Sequence, residues 1–60
     1  MFVEKGIAGD GRGYEIRQGL TGSGQANCMI FFDDGQTFTG NCLKPLSVAE
    51  ARHYIKWACR

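Results

Sequence analysis

The stretch Ala26-Asn27-Cys28-Met29-Ile30-Phe31-Phe32-Asp33-Asp34-Gly35-Gln36-Thr37-Phe38-Thr39 decides how this chain folds. An apolar, partly β-branched and aromatic run leads into Asp33, and a Thr/Phe alternation leads away from Gln36, the pattern of two strands joined by a tight turn. Asp34-Gly35 is a dipeptide favoured in two-residue type I′ hairpins, because both residues tolerate positive φ. Such a turn sets Asp33 against Gln36, and the register follows by counting. Phe31 then lies opposite Phe38 and Met29 opposite Gly40 on one face. Phe32 lies opposite Thr37, Ile30 opposite Thr39 and Cys28 opposite Asn41 on the other. Both faces of the first strand are therefore apolar, although a sheet covered on one side needs only one such face. The second face, Cys28, Ile30 and Phe32, is expected either to close a small curled barrel or to meet a second copy of the chain. The small core favours self-association as a homodimer.

Outward from this hairpin, residues 2–8 read as a first strand and Gly9-Asp10-Gly11-Arg12-Gly13 as a turn of permissive residues. Residues 14–18 alternate, with Tyr14 and Ile16 on one side and Glu15 and Arg17 on the other, as a half-buried strand does. Gly19-Leu20-Thr21-Gly22-Ser23-Gly24 connects it to the third strand at 26–33, whose partner is expected over 36–43. Lys44-Pro45 ends that strand, since proline removes a ladder donor. Ser47-Val48-Ala49-Glu50 reads as a capping box that starts a helix over 48–59. Leu46 and Ala51 occupy the positions of a hydrophobic staple. At 100° per residue, Val48, Ala51, Tyr54, Ile55, Ala58 and Cys59 form an apolar stripe, expected on the Phe31/Phe38 face of the sheet. The fold class is α+β: one domain over 1–60, a three- to four-stranded antiparallel meander free to curl strongly, with one C-terminal helix packed on one face.

A chain of sixty residues buries only about 60% of its unfolded surface, so its stability is marginal. The hydrophobic fraction of 43% argues against disorder, and nine glycines with one proline fit short strands joined by tight turns. Glu4 and Lys5 stand where a signal peptide needs an apolar stretch. No apolar run approaches the roughly 20 residues of a membrane span. A cytoplasmic protein is expected, with Cys28, Cys42 and Cys59 reduced and acting as small hydrophobes. Charge is unevenly placed: residues 44–60 carry +3 and residues 1–43 carry −2, for a total of +1. The positive end is the helix.

Tests for chemistry return negative expectations. Residues 19–24 begin like a phosphate-binding loop, but Gln25-Ala26 stand where lysine and serine or threonine are required, and a strand follows instead of a helix. Asp33 and Asp34 are neighbours whose side chains point to opposite faces of a strand, so they do not form a working carboxylate pair. One histidine on an outer helix side leaves no base for a serine or cysteine nucleophile. Cys28, Cys42, Cys59 and His53 are of zinc-ligating type, but the register separates Cys28 from Cys42, so neither a metal nor another cofactor is expected.

What remains is the outer side of the helix. Arg52, Lys56 and Arg60 recur at i, i+4 and i+8, with His53 beside them and Trp57 in their midst. Tryptophan and arginine are enriched at binding hot spots. These five residues are the expected partner-binding set, on a non-enzymatic protein that works by occupying a larger protein partner as inhibitor or regulator. Phages and other mobile elements encode compact proteins of this kind, for example against host defence. The alternative is nucleic-acid binding through the same basic helix, in a dimer. The order of a small sheet followed by a helix, with Ala49-Glu50-Ala51 at the helix start, resembles the DNA-binding domains of AP2 type and of integrase arm-binding type. That resemblance implies reading DNA from a sheet rich in arginine and aromatic residues, where this chain has only Lys5, Arg12 and Arg17, offset by acids.

Overall fold

The computed structural model describes residues 1–59: strands β1 (Phe2–Ile7), β2 (Gly13–Leu20), β3 (Ala26–Phe32) and β4 (Thr37–Thr39), then helix α1 (Val48–Ala58). The strands pair in chain order, all antiparallel, as an open meander not closed into a barrel. The helix packs on one face, as the α+β reading expects.

The three connections between strands are one device used three times. In each, the residue before the loop donates to the carbonyl of the residue after it: Ala8 to Arg12, Thr21 to Gln25, Phe32 to Gln36, at 2.7–2.9 Å. In each, a glycine amide returns to the carbonyl of the residue before the loop: Gly11 to Ala8, Gly24 to Thr21, Gly35 to Phe32. All three glycines have positive φ, at 91°, 86° and 91°. This is the three-residue hairpin loop, in which only the last loop residue must enter the left-handed region. Asp10 and Asp34, just before their glycines, each take the amide two residues on, Arg12 N at 3.1 Å and Gln36 N at 2.9 Å. The flexible stretch resembling a phosphate loop is thus a closed hairpin, tightened by Thr21 Oγ1, which accepts from Gln25 N at 3.2 Å.

This loop corrects the expected register. A type I′ turn needs positive φ at both Asp34 and Gly35, and among the described residues only glycines have it. With three residues in the loop, Ile30 lies opposite Phe38, Phe31 opposite Thr37 and Met29 opposite Thr39. A slip of one residue exchanges the faces. The helix therefore covers Cys28, Ile30 and Phe32, with Phe38, and not the face of Phe31.

The core is Ala8, Ile16, Cys28, Ile30, Phe32, Leu46, Ala51, Ile55 and Cys59, with Val3, Tyr14, Phe38, Val48 and Tyr54 packed against it. Phe38 and Tyr54 stack at 4.0 Å between centroids, joining β4 to the helix. Burial raises the Cys28 thiol above its ordinary pKa. Ala58, expected in the apolar stripe, is exposed.

β4 is also shorter than the expected 36–43. At Gly40 the chain leaves the sheet, and Asn41 Oδ1 accepts the amides of Leu43 and Lys44 at 2.9 and 2.8 Å, folding it back. Leu46 then takes the place beside β3 that a longer β4 would have filled: its carbonyl accepts from Cys28 N at 2.8 Å. Asn27 locks the crossing, accepting from Leu46 N at 2.9 Å and donating to Gly40 O at 3.0 Å. A Cβ at position 40 would collide with the Leu46 amide nitrogen and the Lys44 carbonyl, so only glycine fits there. Beyond the crossing the capping box forms as expected, Ser47 Oγ accepting from Glu50 N at 3.1 Å and Glu50 accepting from Ser47 N at 3.4 Å.

Candidate functional site

The helix places Arg52, His53, Lys56 and Trp57 on its exposed outer side. Arg60, the fifth expected contact residue, lies outside the described residues. Trp57 retains 49% exposure although it stands in the last turns of a helix that buries Ala51 and Ile55. Its ring meets the His53 imidazole, one helical turn earlier, at 5.9 Å with a 42° tilt. Lys56 Nζ lies 5.7 Å from the same ring, within cation–π reach. Next to this raised aromatic, a recess of about 380 Å³ runs between helix and β4, lined by Phe38, Leu46, Ala49, Glu50, His53 and Tyr54. His53 belongs to both, so the helix side presents a knob with a hole beside it.

Arg52 behaves differently. Its Nε donates to Glu4 Oε1 at 2.5 Å, and Tyr14 Oη donates to Glu4 Oε2 at 3.2 Å. The Arg52 hydrogen bond holds the Glu4 carboxyl below its ordinary range. Burial, then the neighbouring Glu4 carboxylate, pushes the Tyr14 phenol up. Arg52 thus ties the helix to β1, and its charge is matched inside the molecule. Sequence reasoning counted it as a free cation because nothing in the primary structure relates positions 4 and 52.

Arg12, assigned no role from the sequence, gathers its partners beside the helix C-terminus. Its guanidinium sits 4.2 Å from the Phe32 ring centroid, and donates to Asp10, to Asp34 at 3.2 Å, to Gln36 at 2.8 Å and to Cys59 Sγ at 3.5 Å. Two hairpin loops and the helix C-terminus meet there, with Asp10 N donating to Cys59 O at 2.9 Å. The Arg12 backbone amide and side chain lower the Asp10 pKa, and the Asp10 hydrogen bond raises that of Arg12. Asp33 serves the same region, accepting from Gly13 N at 2.8 Å. These carboxylates organise loops.

The sheet face away from the helix is a second surface. The register writes it in rows: Lys5, Glu15, Phe31, Thr37; then Phe2, Arg17, Met29, Thr39; then Ile7 and Gly13. A bulge between Phe2 and Glu4 turns Phe2 outward while Glu4 faces the helix. Phe2 is 57% exposed, Ile7 72% and Phe31 38%. Arg17 pairs with Glu15 and lies 5.7 Å from the Phe31 ring. A shallow depression of about 760 Å³ lies here, between Ile7, Glu15, Phe31 and Asp33, where Gly13 contributes no side chain.

The expected self-association residues Cys28, Ile30 and Phe32 are 0%, 0% and 8% exposed. They lie under the helix and cannot meet a second copy; the open apolar face belongs to their odd-numbered neighbours. Asp10-Gly11 and Asp34-Gly35 are the same dipeptide and close loops of the same three-residue form, but the loop length shows only in the structure. Cys28 and Cys59 are buried while Cys42 is exposed, and among the described residues no three His, Cys, Asp or Glu side chains gather as a metal site. Among them, too, no helix is long and apolar enough to cross a membrane. The chain matches no family model, and neither a curated protein nor a solved structure is similar to it.

Proposed function

We propose that this chain is a non-enzymatic binding protein that acts by occupying a protein partner, with His53, Lys56 and Trp57 as the centre of contact. The observation that carries this is the half-exposed Trp57, held between an imidazole and an ammonium group beside the Phe38/Tyr54 recess. A large aromatic with a cationic rim and an adjacent hole is the composition of a binding hot spot. The core closes with Ala51, Ile55 and Cys59, and the Trp57 ring stands outside it, 49% exposed. The Lys56 ammonium suits an acidic group on the partner, which it would steer and register. An inhibitor or regulator carried by a phage or other mobile element is the biological setting that fits a protein of this size acting by occlusion.

Nucleic acid is the second reading, and the internal pairing of Arg52 weakens it. Non-specific affinity grows with the number of phosphates neutralised by lysine and arginine. With Arg52 held by Glu4, the helix has fewer cations to offer than its sequence suggests.

Affinity capture with wild type, Trp57→Ala and Lys56→Glu tests the proposal. Partners retained by wild type should fall roughly tenfold or more with Trp57→Ala, the scale of a hot-spot truncation. Equal recovery by both variants refutes the proposed surface. A mobility-shift series over salt, run in parallel, assigns the surface to nucleic acid if the wild type shifts at low salt and Lys56→Glu does not.

A further inference from the structure

Phe2, Ile7, Met29 and Phe31 share the uncovered sheet face, and we propose that a second copy of this chain covers it, the two sheets packing face to face about a two-fold axis. This inference stands on the sheet and is independent of the role given to the helix. Three features commit the face to a copy of itself. First is charge. Lys5, Arg17, Glu15 and Asp33 line the central depression, two cations and two carboxylates with no net charge. Such a face repels neither itself nor its copy, whereas a nucleic-acid partner needs a positive surface and a strongly charged protein partner needs an opposite one.

Second is shape. Ile7, 72% exposed, stands at the rim of the depression over Gly13. A two-fold contact sets residue i of one copy on residue j of the other and the reverse. Ile7 of each copy then enters the shallow depression of its partner, with Phe31 beside it. Third is area. Of the 4069 Å² of accessible surface, a broad side of a body 35 × 19 × 17 Å holds roughly a fifth, near the ~800 Å² per partner of a standard interface. A second sheet at the usual ~10 Å spacing also makes the two-layer core that so short a chain lacks on this side. The helices then lie on the two outer surfaces, leaving both copies of Trp57 accessible.

Sedimentation equilibrium across the micromolar range is the test, on wild type, Ile7→Glu and Thr37→Arg, with Lys56→Glu as control. The wild type and Lys56→Glu should be dimers. Ile7→Glu and Thr37→Arg should be monomers with unchanged far-UV circular dichroism, their association weakened roughly tenfold or more. Thr37 is an exposed edge position in the Phe31 row, so the comparison survives if Ile7→Glu fails to fold. A monomeric wild type overturns the inference, as does a folded Ile7→Glu or Thr37→Arg that dimerises like wild type. If Ile7→Glu loses the partners that wild type captures, while wild type is monomeric, the face belongs to that partner. A monomer that still needs Trp57 for capture sinks the dimer alone and leaves the helix reading intact.

Discussion

The two faces of the sheet are built from alternate residues of the same strands, yet they differ in almost everything except apolarity. On one, Ile16, Cys28 and Ile30 are fully buried beneath Ala51, Ile55 and Leu46. On the other, Met29 and Phe31 stand beside Lys5, Glu15 and Arg17. Hydrophobicity does not tell them apart; connectivity does. The helix can reach only one face, because the crossing at Gly40 and Asn27 delivers Leu46 to the edge of β3 on that side. The covered face holds the core, and the open face leaves Phe2, Ile7 and Phe31 in solvent.

Breaking the contrast at adjacent residues gives the largest effect. Ile30→Ala should cost about 2–5 kcal/mol, the range for a fully buried aliphatic truncation, enough to unfold much of so small a domain. Phe31→Ala, one position away, should cost under about 1 kcal/mol in dilute solution, where association cannot contribute. Denaturant titration of the two variants measures the difference. Equal costs would mean that the register, and with it the assignment of faces, is wrong.

The crossing itself comes next. Gly40→Ala forces a methyl group against backbone atoms of Leu46 and Lys44, and overpacking of this kind costs about 3 kcal/mol. Gly19→Ala, with nothing near its Cβ, serves as the comparison and should change the thermal midpoint little. A tolerated Gly40→Ala would show that Leu46 is not delivered as described.

The smallest effect sharpens the link between helix and covered face. Glu4 has a lowered folded pKa, so its bond to Arg52 contributes stability above the unfolded carboxylate pKa and loses it as pH falls through the folded value. Both groups are largely solvated, so the contribution is a few tenths of a kcal/mol. Glu4→Gln should flatten the acid side of a stability-versus-pH curve slightly, and an unchanged curve would remove Glu4 from the account.

Most of the architecture was written in local patterns. The capping box at Ser47 and Glu50 and the alternation of Tyr14 to Arg17 depend on neighbours within a few residues, and each took its expected form. So did the exposure of His53, Lys56 and Trp57, which follows from helical periodicity alone. What failed was a count: a loop of three residues in place of two, decided by Asp34 remaining outside the left-handed region while Gly35 enters it. That choice changes one dihedral region and yet moves every side chain of β4 to the other face, because strand periodicity is two.

The sequence by itself determined that a meander of three to four strands would end in a capped helix, and that the strand from Ala26 would be apolar on both sides. Local hydrogen bonding and side-chain periodicity suffice for that. Only the tertiary structure decided which face the helix covers, that Arg52 answers Glu4, and that Arg12 gathers two loops and Cys59. Those outcomes depend on groups far apart in the chain meeting in space, and on a register that the core selects as a whole.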